Sequence, residues 1–161
     1  IEVEDEVSAI LEYPGGATGH FITTTGEAPG TDRLEIAGDR GNLIAENGKL
    51  HLRLNRQSAK EFCKASPLSF AAPECWDVAI PVEKPHSDGA RLMAQNFTNA
   101  VLNNEPLIAP GADGTRWLEI GNAMMLAGLT HQPVDLPLDL DAFDALLGRL
   151  TEEAARHKAA H

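Results

Sequence analysis

Hydroxyl and carboxylate side chains gather at the end of a strand-like segment near the start of the chain. Thr23, Thr24 and Thr25 run directly into the connection GEAPGT, residues 26–31, which contains Glu27. Several neutral donors and acceptors beside one carboxylate suit a polyol, because each of its hydroxyl groups needs a hydrogen-bond partner in a binding site. We therefore take Thr23, Thr25 and Glu27 as candidate substrate-binding residues, with an ordinary exposed loop as the alternative.

A second polar cluster, EKPHSD at residues 83–88, precedes a predicted helix. It places an imidazole, an amine and two carboxylates within six positions, a density that can support acid/base chemistry or substrate binding. His86 is the candidate substrate-binding residue here, and a solvated loop that caps the helix is the alternative. A hydrolase that uses Glu27 or Glu83 with His86 is a further possibility, although nothing in the sequence places these groups together.

Other chemical motifs are missing from the sequence. It contains no G-x-G-x-x-G or G-x-x-x-x-G-K-[ST] phosphate loop, no G-x-S-x-G elbow and no H-E-x-x-H pair. Cys63 and Cys75 lack C-x-x-C spacing, so we expect two buried or half-buried free thiols. His157 and His161 are four residues apart in a predicted helix, but an end that frays is a poor metal site. We therefore assign no catalytic residue, and we expect this chain alone to bind no metal and no cofactor.

Net charge excludes several classes of partner. The chain carries a formal charge of -11 and has a pI near 4.8, so nucleic acids and anionic membrane surfaces would repel it. It has no apolar run of about 18 residues, and its start, IEVEDEV, lacks the features of a signal peptide. We expect a cytoplasmic protein with one domain over residues 1–161. Because the chain begins inside a strand-like pattern, we expect it to be a piece of a longer protein.

Alternating apolar and polar residues predict about seven strands before the first long helix. Pro14-Gly15-Gly16 predicts a hairpin between the first two, and Asn47-Gly48 predicts another, since both residues tolerate positive φ. The runs within residues 18–46 are expected to form one antiparallel sheet. The predicted strands are Glu4–Tyr13, His20–Thr25, Arg33–Ala37, Gly41–Glu46, Lys49–Leu54, Ala59–Ala65 and Trp76–Val82.

Helical spacing takes over in the second half. A helix over Gly89–Asn103 follows an N-cap at Ser87-Asp88, Asp113 is expected to cap a second helix, and Asp139 or Asp141 a third. The sequon Asn96-Phe97-Thr98 falls inside the first of these helices and is set aside. The expected fold class is α+β, with a large, mainly antiparallel sheet and helices covering one face.

Three motifs, in this order and spacing, resemble a known family. They are L-E-I-x-G-x-x-G-x-L at residues 34–43, F-x-x-A-V-L-N-x-x-P-L at residues 97–107, and L-E-I-x-N-A at residues 118–123 followed by P-V-x-L-P. The chain resembles, over nearly its whole length, the C-terminal domain of the Gfo/Idh/MocA oxidoreductases, which include glucose-fructose oxidoreductase and inositol dehydrogenase.

The resemblance implies a division of labour in a longer parent protein. In the family an N-terminal Rossmann domain binds NAD or NADP, and the C-terminal domain shapes a sugar or polyol pocket and packs against other subunits. This sequence resembles the second half only, so the Rossmann domain is expected to be absent from the chain. Glu83-Lys84-Pro85 spells the family's E-K-P signature, but that signature belongs to the Rossmann half. We therefore assign no catalytic role to Lys84.

These considerations lead to two functional hypotheses. The first is the substrate-binding and oligomerisation domain of an NAD(P)-dependent sugar or polyol dehydrogenase, inactive in hydride transfer by itself, which forms a homo-oligomer through its sheet face. The second is a stand-alone interaction module that dimerises through an exposed sheet. The sequence does not choose between NAD and NADP, and it does not identify the substrate.

Overall fold

The computed structural model describes residues 5–82 and 88–159. These residues form six strands and four helices, which confirms the predicted α+β class. The strands are β1 (Glu6–Glu12), β2 (Thr18–Thr24), β3 (Arg33–Gly38), β4 (Gly41–Glu46), β5 (Lys49–Asn55) and β6 (Cys75–Ile80), and the helices are α1 (Ala59–Ala65), α2 (Gly89–Asn103), α3 (Gly111–Thr130) and α4 (Leu140–Ala159).

The chain divides into two compact units. One contains the start of β1 up to Ser8, β2 from His20, β3 to β6 and α1, and the other contains Ala9–Gly19, α2 from Ala90, α3 and α4. Each unit is described by itself below. The prediction of one domain over residues 1–161 stays a prediction.

β3, β4, β5 and β6 form an antiparallel sheet in that order. Asn47 and Gly48 join β4 to β5 with φ values of 51° and 69°, so the predicted hairpin is confirmed. Gly41 begins β4 with φ 142°, and a Cβ at this position would overlap the carbonyl oxygen of Arg53 on the neighbouring strand. Only glycine therefore allows β4 and β5 to approach so closely at this end.

Strand register gives this sheet one apolar face and one polar face. Leu34 lies opposite Ala45, which lies opposite Leu50 on the next strand, and Leu50 lies opposite Ile80. Because side chains alternate between faces, the apolar face collects ten such residues. They are Leu34, Ile36, Leu43, Ala45, Leu50, Leu52, Leu54, Trp76, Val78 and Ile80. The opposite face carries most of the charged residues of the four strands.

β1 and β2 form a separate two-stranded sheet. Its turn is closed by backbone bonds from Gly16 N to Tyr13 O at 2.9 Å and from Tyr13 N to Ala17 O at 3.0 Å, which confirms the predicted hairpin. The prediction of one sheet over residues 18–46 is wrong for the described residues, because β2 and β3 fall in different sheets. The eight residues between them are far longer than a tight hairpin loop, so the chain can leave one sheet before it enters the next.

Residues 59–65 form α1, and the predicted strand there is wrong. Ser58 Oγ accepts a hydrogen bond from Glu61 N at 3.2 Å, and Asp39 Oδ1 accepts one from Lys60 N at 2.9 Å. These acceptors satisfy amide groups that the first helical turn leaves without partners. The sequence Ser58-Ala-Lys-Glu61 matches the S-x-x-E capping signature, which outweighs the short alternation of apolar residues.

Three helices form most of the second unit. α2 has the predicted bounds, whereas α3 begins at Gly111 with Pro110 at its N-cap. Asp113 therefore lies in the first turn of α3, and its predicted capping role is wrong. At the start of α4, Asp139 Oδ1 accepts hydrogen bonds from the backbone N–H groups of Asp141 and Ala142, so Asp139 is the cap. None of the described helices combines the length and apolar character needed to cross a bilayer.

Buried residues of this unit lie on α3, α4 and the connector between them. The core consists of Ala123, Leu126, Leu138, Phe143 and Leu146, with Leu146 only 3% exposed. Glu119 Oε1 accepts a hydrogen bond from the backbone N–H of Leu138 at 2.8 Å, which holds the connector against α3. His131 ends α3 in the left-handed conformation, with φ 56°. The connector is thus fixed by a helix cap, a hydrogen bond and a buried leucine.

The exit from α2 is held by one amide side chain. Asn96 Nδ2 donates to Pro106 O at 3.0 Å, and Asn96 Oδ1 accepts from Ile108 N at 2.9 Å. Asn104, with φ 54°, reverses the chain between the end of α2 and these two partners of Asn96. Both halves of the amide are therefore used to fold residues 104–108 back along the helix.

Candidate functional site

The threonine cluster lies where β2 ends. Thr23 and Thr25 are exposed, and Thr24 is half-buried. Thr24 Oγ1 accepts a hydrogen bond from Gly26 N at 3.0 Å, and Thr25 N donates to Asp5 O at 2.8 Å. The Thr25 hydroxyl group also donates to Asp5 O, at 3.4 Å. These bonds fix the first residues of the long connection, and the side chains of Thr23 and Thr25 stay exposed.

Glu27 lies in the same connection and is exposed. Its Oε1 accepts a hydrogen bond from Thr31 Oγ1 at 3.2 Å, and Gly30 turns the loop back with φ 81°. Thr31 was not predicted as a site residue. A hydroxyl four positions after a carboxylate, across a Pro-Gly turn, was the available signal.

Thr23, Thr25 and Glu27 are thus exposed along one short stretch of chain. Hydroxyl groups donate and accept, and a carboxylate accepts up to about four hydrogen bonds, so the stretch can satisfy a ligand with several hydroxyl groups. His86 and its neighbours Glu83 and Lys84 lie outside the described residues. The grouping of His86 with the threonines therefore stays a prediction.

A charged network covers part of the polar face of the four-stranded sheet. Arg33 pairs with Glu35 at 2.7 Å on the same strand and with Glu46 at 3.3 Å on the next, and Asn42 Nδ2 donates to Glu35 at 3.1 Å. The hydrogen bond from Arg33 holds the pKa of Glu35 below its usual value. This network is a structural ion-pair cluster that the sequence analysis did not identify.

A thiol and a carboxylate flank another arginine on that face. Arg53 Nη2 donates to Cys75 Sγ at 3.2 Å, and Arg53 Nε lies 3.3 Å from Asp77 Oδ1. The bond to Cys75 is the main reason that the pKa of Arg53 is raised. Both cysteines are free, as predicted. Cys63 is exposed, so the prediction that its thiol is buried or half-buried is wrong.

Two open depressions share Phe62 as a lining residue and have volumes of about 330 Å³ and 390 Å³. Residues of α1 and the loop after it line the first, and Arg56 and Glu74 help to line the second. Neither depression is lined by the threonine cluster or Glu27. Within residues 5–82 and 88–159, no group of three or more His, Cys, Asp or Glu side chains could hold a metal ion.

The described elements do not fit a dinucleotide held in the Rossmann manner. Such a site needs a strand that enters a helix through a glycine-rich turn, so that backbone amides can contact the pyrophosphate. The approach from β5 to α1 reads Asn55-Arg-Gln-Ser58 and contains no glycine, whereas the approach from β6 to α2 lies partly outside the described residues. Ser58 is moreover already committed to capping the helix.

Comparison with known proteins identifies the family. Residues 1–136 match the family model described as the oxidoreductase family, C-terminal alpha/beta domain (GFO_IDH_MocA_C). A search of curated proteins found no match. The matched range covers all six strands of the described residues and also α1, α2 and α3. The chain belongs to the Gfo/Idh/MocA oxidoreductase family and carries its C-terminal domain.

Proposed function

We propose that this chain is the substrate-binding and oligomerisation domain of an NAD(P)-dependent sugar or polyol oxidoreductase. The observation that carries the proposal is the match of residues 1–136 to the C-terminal domain of an oxidoreductase family. In this proposal an N-terminal Rossmann domain of the parent protein holds NAD or NADP. The proposal treats residues 1–161 as one functional domain.

Hydride transfer needs a bound nicotinamide that faces the substrate. The described elements offer no glycine-rich turn between a strand and a helix, so we assign no step of that transfer to them. The role proposed for this chain is to bind and orient the substrate and to contact other subunits. The chain by itself is proposed to be inactive.

Three exposed groups support the substrate side of the proposal. Thr23 and Thr25 offer hydroxyl groups, and Glu27 offers a carboxylate held in place by Thr31. A carboxylate that is already oriented loses less freedom when a ligand binds, so it can contribute more to affinity. We include His86 as a fourth substrate-binding residue, from the sequence alone.

Two titrations test this proposal. Titration of the chain with NADH and NADPH should give no saturable binding, and micromolar binding of either would refute the division of labour. Titration with a panel of hexoses and inositols should show binding that Glu27→Gln weakens by about tenfold or more, because a hydrogen bond to a charged group is lost. Glu153 is an exposed carboxylate on α4, so Glu153→Gln is the matched control and should bind the sugars like the wild type. Equal affinities for the two variants would remove Glu27 from the site.

The alternative function is a stand-alone module that dimerises through the four-stranded sheet. The observation that favours it is the apolar face, on which Trp76 and Leu34 are 53% and 61% exposed. Large exposed apolar patches mark surfaces that bind other proteins. Sedimentation of the wild type and of Val78→Lys tests this idea. Loss of a dimer in the variant would support the face contact, and an unchanged dimer would refute it.

A further inference from the structure

β3 is an edge strand of its sheet, since the described residues pair it with β4 alone. All six of its residues are exposed, and Leu34 and Ile36 leave 61% and 58% of their surfaces in solvent. An edge strand presents unpaired backbone N–H and C=O groups, and proteins usually protect such an edge with charged side chains, proline, a bulge or a covering segment. β3 carries two charged residues, Arg33 and Glu35, but their charges are opposite, so they can pair with those of a second copy. β3 contains no proline and pairs regularly with β4 over its whole length. Its outer edge is therefore suited to pairing with another strand.

The sequence of β3 is complementary to itself when two copies run antiparallel. If the two-fold axis passes through Leu34, each Leu34 faces the same residue of the second copy, and Arg33 faces Glu35 in both directions. The ion pair between Arg33 and Glu35 within one chain, at 2.7 Å, shows that both side chains lie on the polar face. Opposite charges directly across an antiparallel pair stabilise it, and like charges destabilise it.

The other edge strand offers no such match. β6 carries a single charged residue, Asp77, so no antiparallel register of two β6 strands forms an opposite-charge pair. Pairing of β3 with β6 of another copy would leave one free edge at each end, and such contacts continue into open chains. The pairing of two β3 strands uses the same surface twice and closes as a dimer.

We propose that two copies of this chain join through antiparallel pairing of their β3 strands, centred on Leu34, to form a continuous eight-stranded sheet. Backbone hydrogen bonds join the strands, and the two Arg33 to Glu35 pairs set the register. This contact uses a sheet edge, whereas the oligomerisation proposed above uses a sheet face. Either contact can therefore fail without the other.

Disulfide trapping tests the register. Leu34→Cys in a Cys63→Ser/Cys75→Ser background should form a covalent dimer on mild oxidation. Residues directly opposite in an antiparallel pair have Cα atoms about 4.5–5.5 Å apart, within the range of a disulfide. Ile36→Cys in the same background is the control. Its position in the second copy lies four residues out of register, about 14 Å away, so it should not be trapped. Failure of Leu34→Cys to crosslink, or equal crosslinking of both variants, would overturn the proposal.

Charge reversal tests the pairs themselves, with sedimentation as the measurement. Glu35→Arg and Arg33→Glu should each raise the dimer dissociation constant by about tenfold, because each places two like-charged pairs at the contact. An equimolar mixture of the two variants should associate as a heterodimer, in which every pair is again opposite in charge. Glu153→Arg makes the same charge change at an exposed position of α4, outside the sheet, and should dimerise like the wild type.

Circular dichroism shows whether each charge variant is folded, and the cysteine variants decide the matter if one is not. A wild type that stays monomeric would overturn the edge proposal, as would single variants that dimerise normally or a mixture that does not associate. A dimer that survives charge reversal but is lost in Val78→Lys would show a face contact instead.

Discussion

Replacement of Ser58 by alanine should loosen α1 from the turn between β3 and β4. Ser58 is 4% exposed, and its hydroxyl oxygen accepts from Glu61 N at 3.2 Å. The same hydroxyl group hydrogen-bonds to the carboxylate of Asp39, which also accepts from Lys60 N at 2.9 Å. Alanine fills nearly the same space and makes neither bond.

The magnitude follows from these contacts. Loss of an N-cap serine costs about 1 kcal/mol, within a range of about 0.5–2 kcal/mol. α1 has seven residues, too few to be stable without caps and tertiary contacts. We therefore expect Ser58→Ala to lower the free energy of unfolding by about 1–2 kcal/mol. For a chain of this size that corresponds to a decrease of about 0.5–1 M in the urea midpoint.

Urea unfolding followed by far-UV circular dichroism is the assay. Ser69→Ala is the matched control, because Ser69 is exposed in the loop after α1, and its free energy of unfolding should stay within about 0.5 kcal/mol of the wild-type value. Identical midpoints for the two variants would refute the assignment of Ser58 as a structural cap.

The same contacts predict a pH dependence. The hydrogen bonds from Ser58 and from Lys60 N hold the pKa of Asp39 below its usual value. The unfolded chain lacks these bonds, so it binds a proton at Asp39 at higher pH than the folded protein does. The contribution of Asp39 to stability is therefore complete above the ordinary aspartate pKa of about 3.9 and is lost as pH falls through the lowered folded value. Below pH 5, Ser58→Ala should lose less stability per pH unit than the wild type, and equal slopes would contradict the mechanism.

Three further substitutions probe the rest of the fold by urea unfolding. Gly41→Ala should destabilise by more than about 1 kcal/mol, because its Cβ meets a carbonyl oxygen, whereas Gly38→Ala has open space around it and should cost less. Leu146→Ala should lower the free energy of unfolding by about 2–5 kcal/mol, since it leaves a cavity in the core. The neighbouring Leu147 is 41% exposed, so Leu147→Ala should lower it clearly less. Glu119→Ala should cost about 1 kcal/mol, whereas Glu119→Gln keeps an acceptor for the connector's backbone N–H and should recover most of that loss.

Local signals were sufficient wherever the backbone itself demanded a residue type. Asn47-Gly48 predicted its hairpin because both residues have positive φ, and the strand Gly41–Glu46 was predicted with its observed bounds. The spacing of apolar residues likewise gave Gly89–Asn103 as a helix. In each case the determining interactions lie within a few residues of the element.

The errors arose where short patterns compete. Residues 59–65 alternate briefly like a strand, but Ser58 and Glu61 cap a helix, and Asp39 supplies an acceptor from 21 residues away. β2 and β3 likewise lie in different sheets although the connection between them is only eight residues long, and a hydrogen bond between Thr31 and Glu27 lies within that connection. Single-sequence periodicity contains no information on such contacts.

The candidate site was predicted only in part for a similar reason. Thr23, Thr25 and Glu27 are neighbours in sequence, so their proximity in space was assured. The charged network around Arg33 joins two strands and becomes visible only when the register is known. His86 is 59 residues away from Glu27 in the sequence, and no local pattern fixes the distance between their side chains.

The double engagement of Asn96 has a consequence for glycan attachment. Enzymatic N-glycosylation requires the side-chain amide nitrogen as the nucleophile, and here that nitrogen donates to the carbonyl oxygen of Pro106. A sugar could be added only if α2 and its exit segment opened, so modification would compete directly with folding. The sequon at this position is thus closed by the folded state, and a glycan found on Asn96 would report a chain that was captured before α2 had formed.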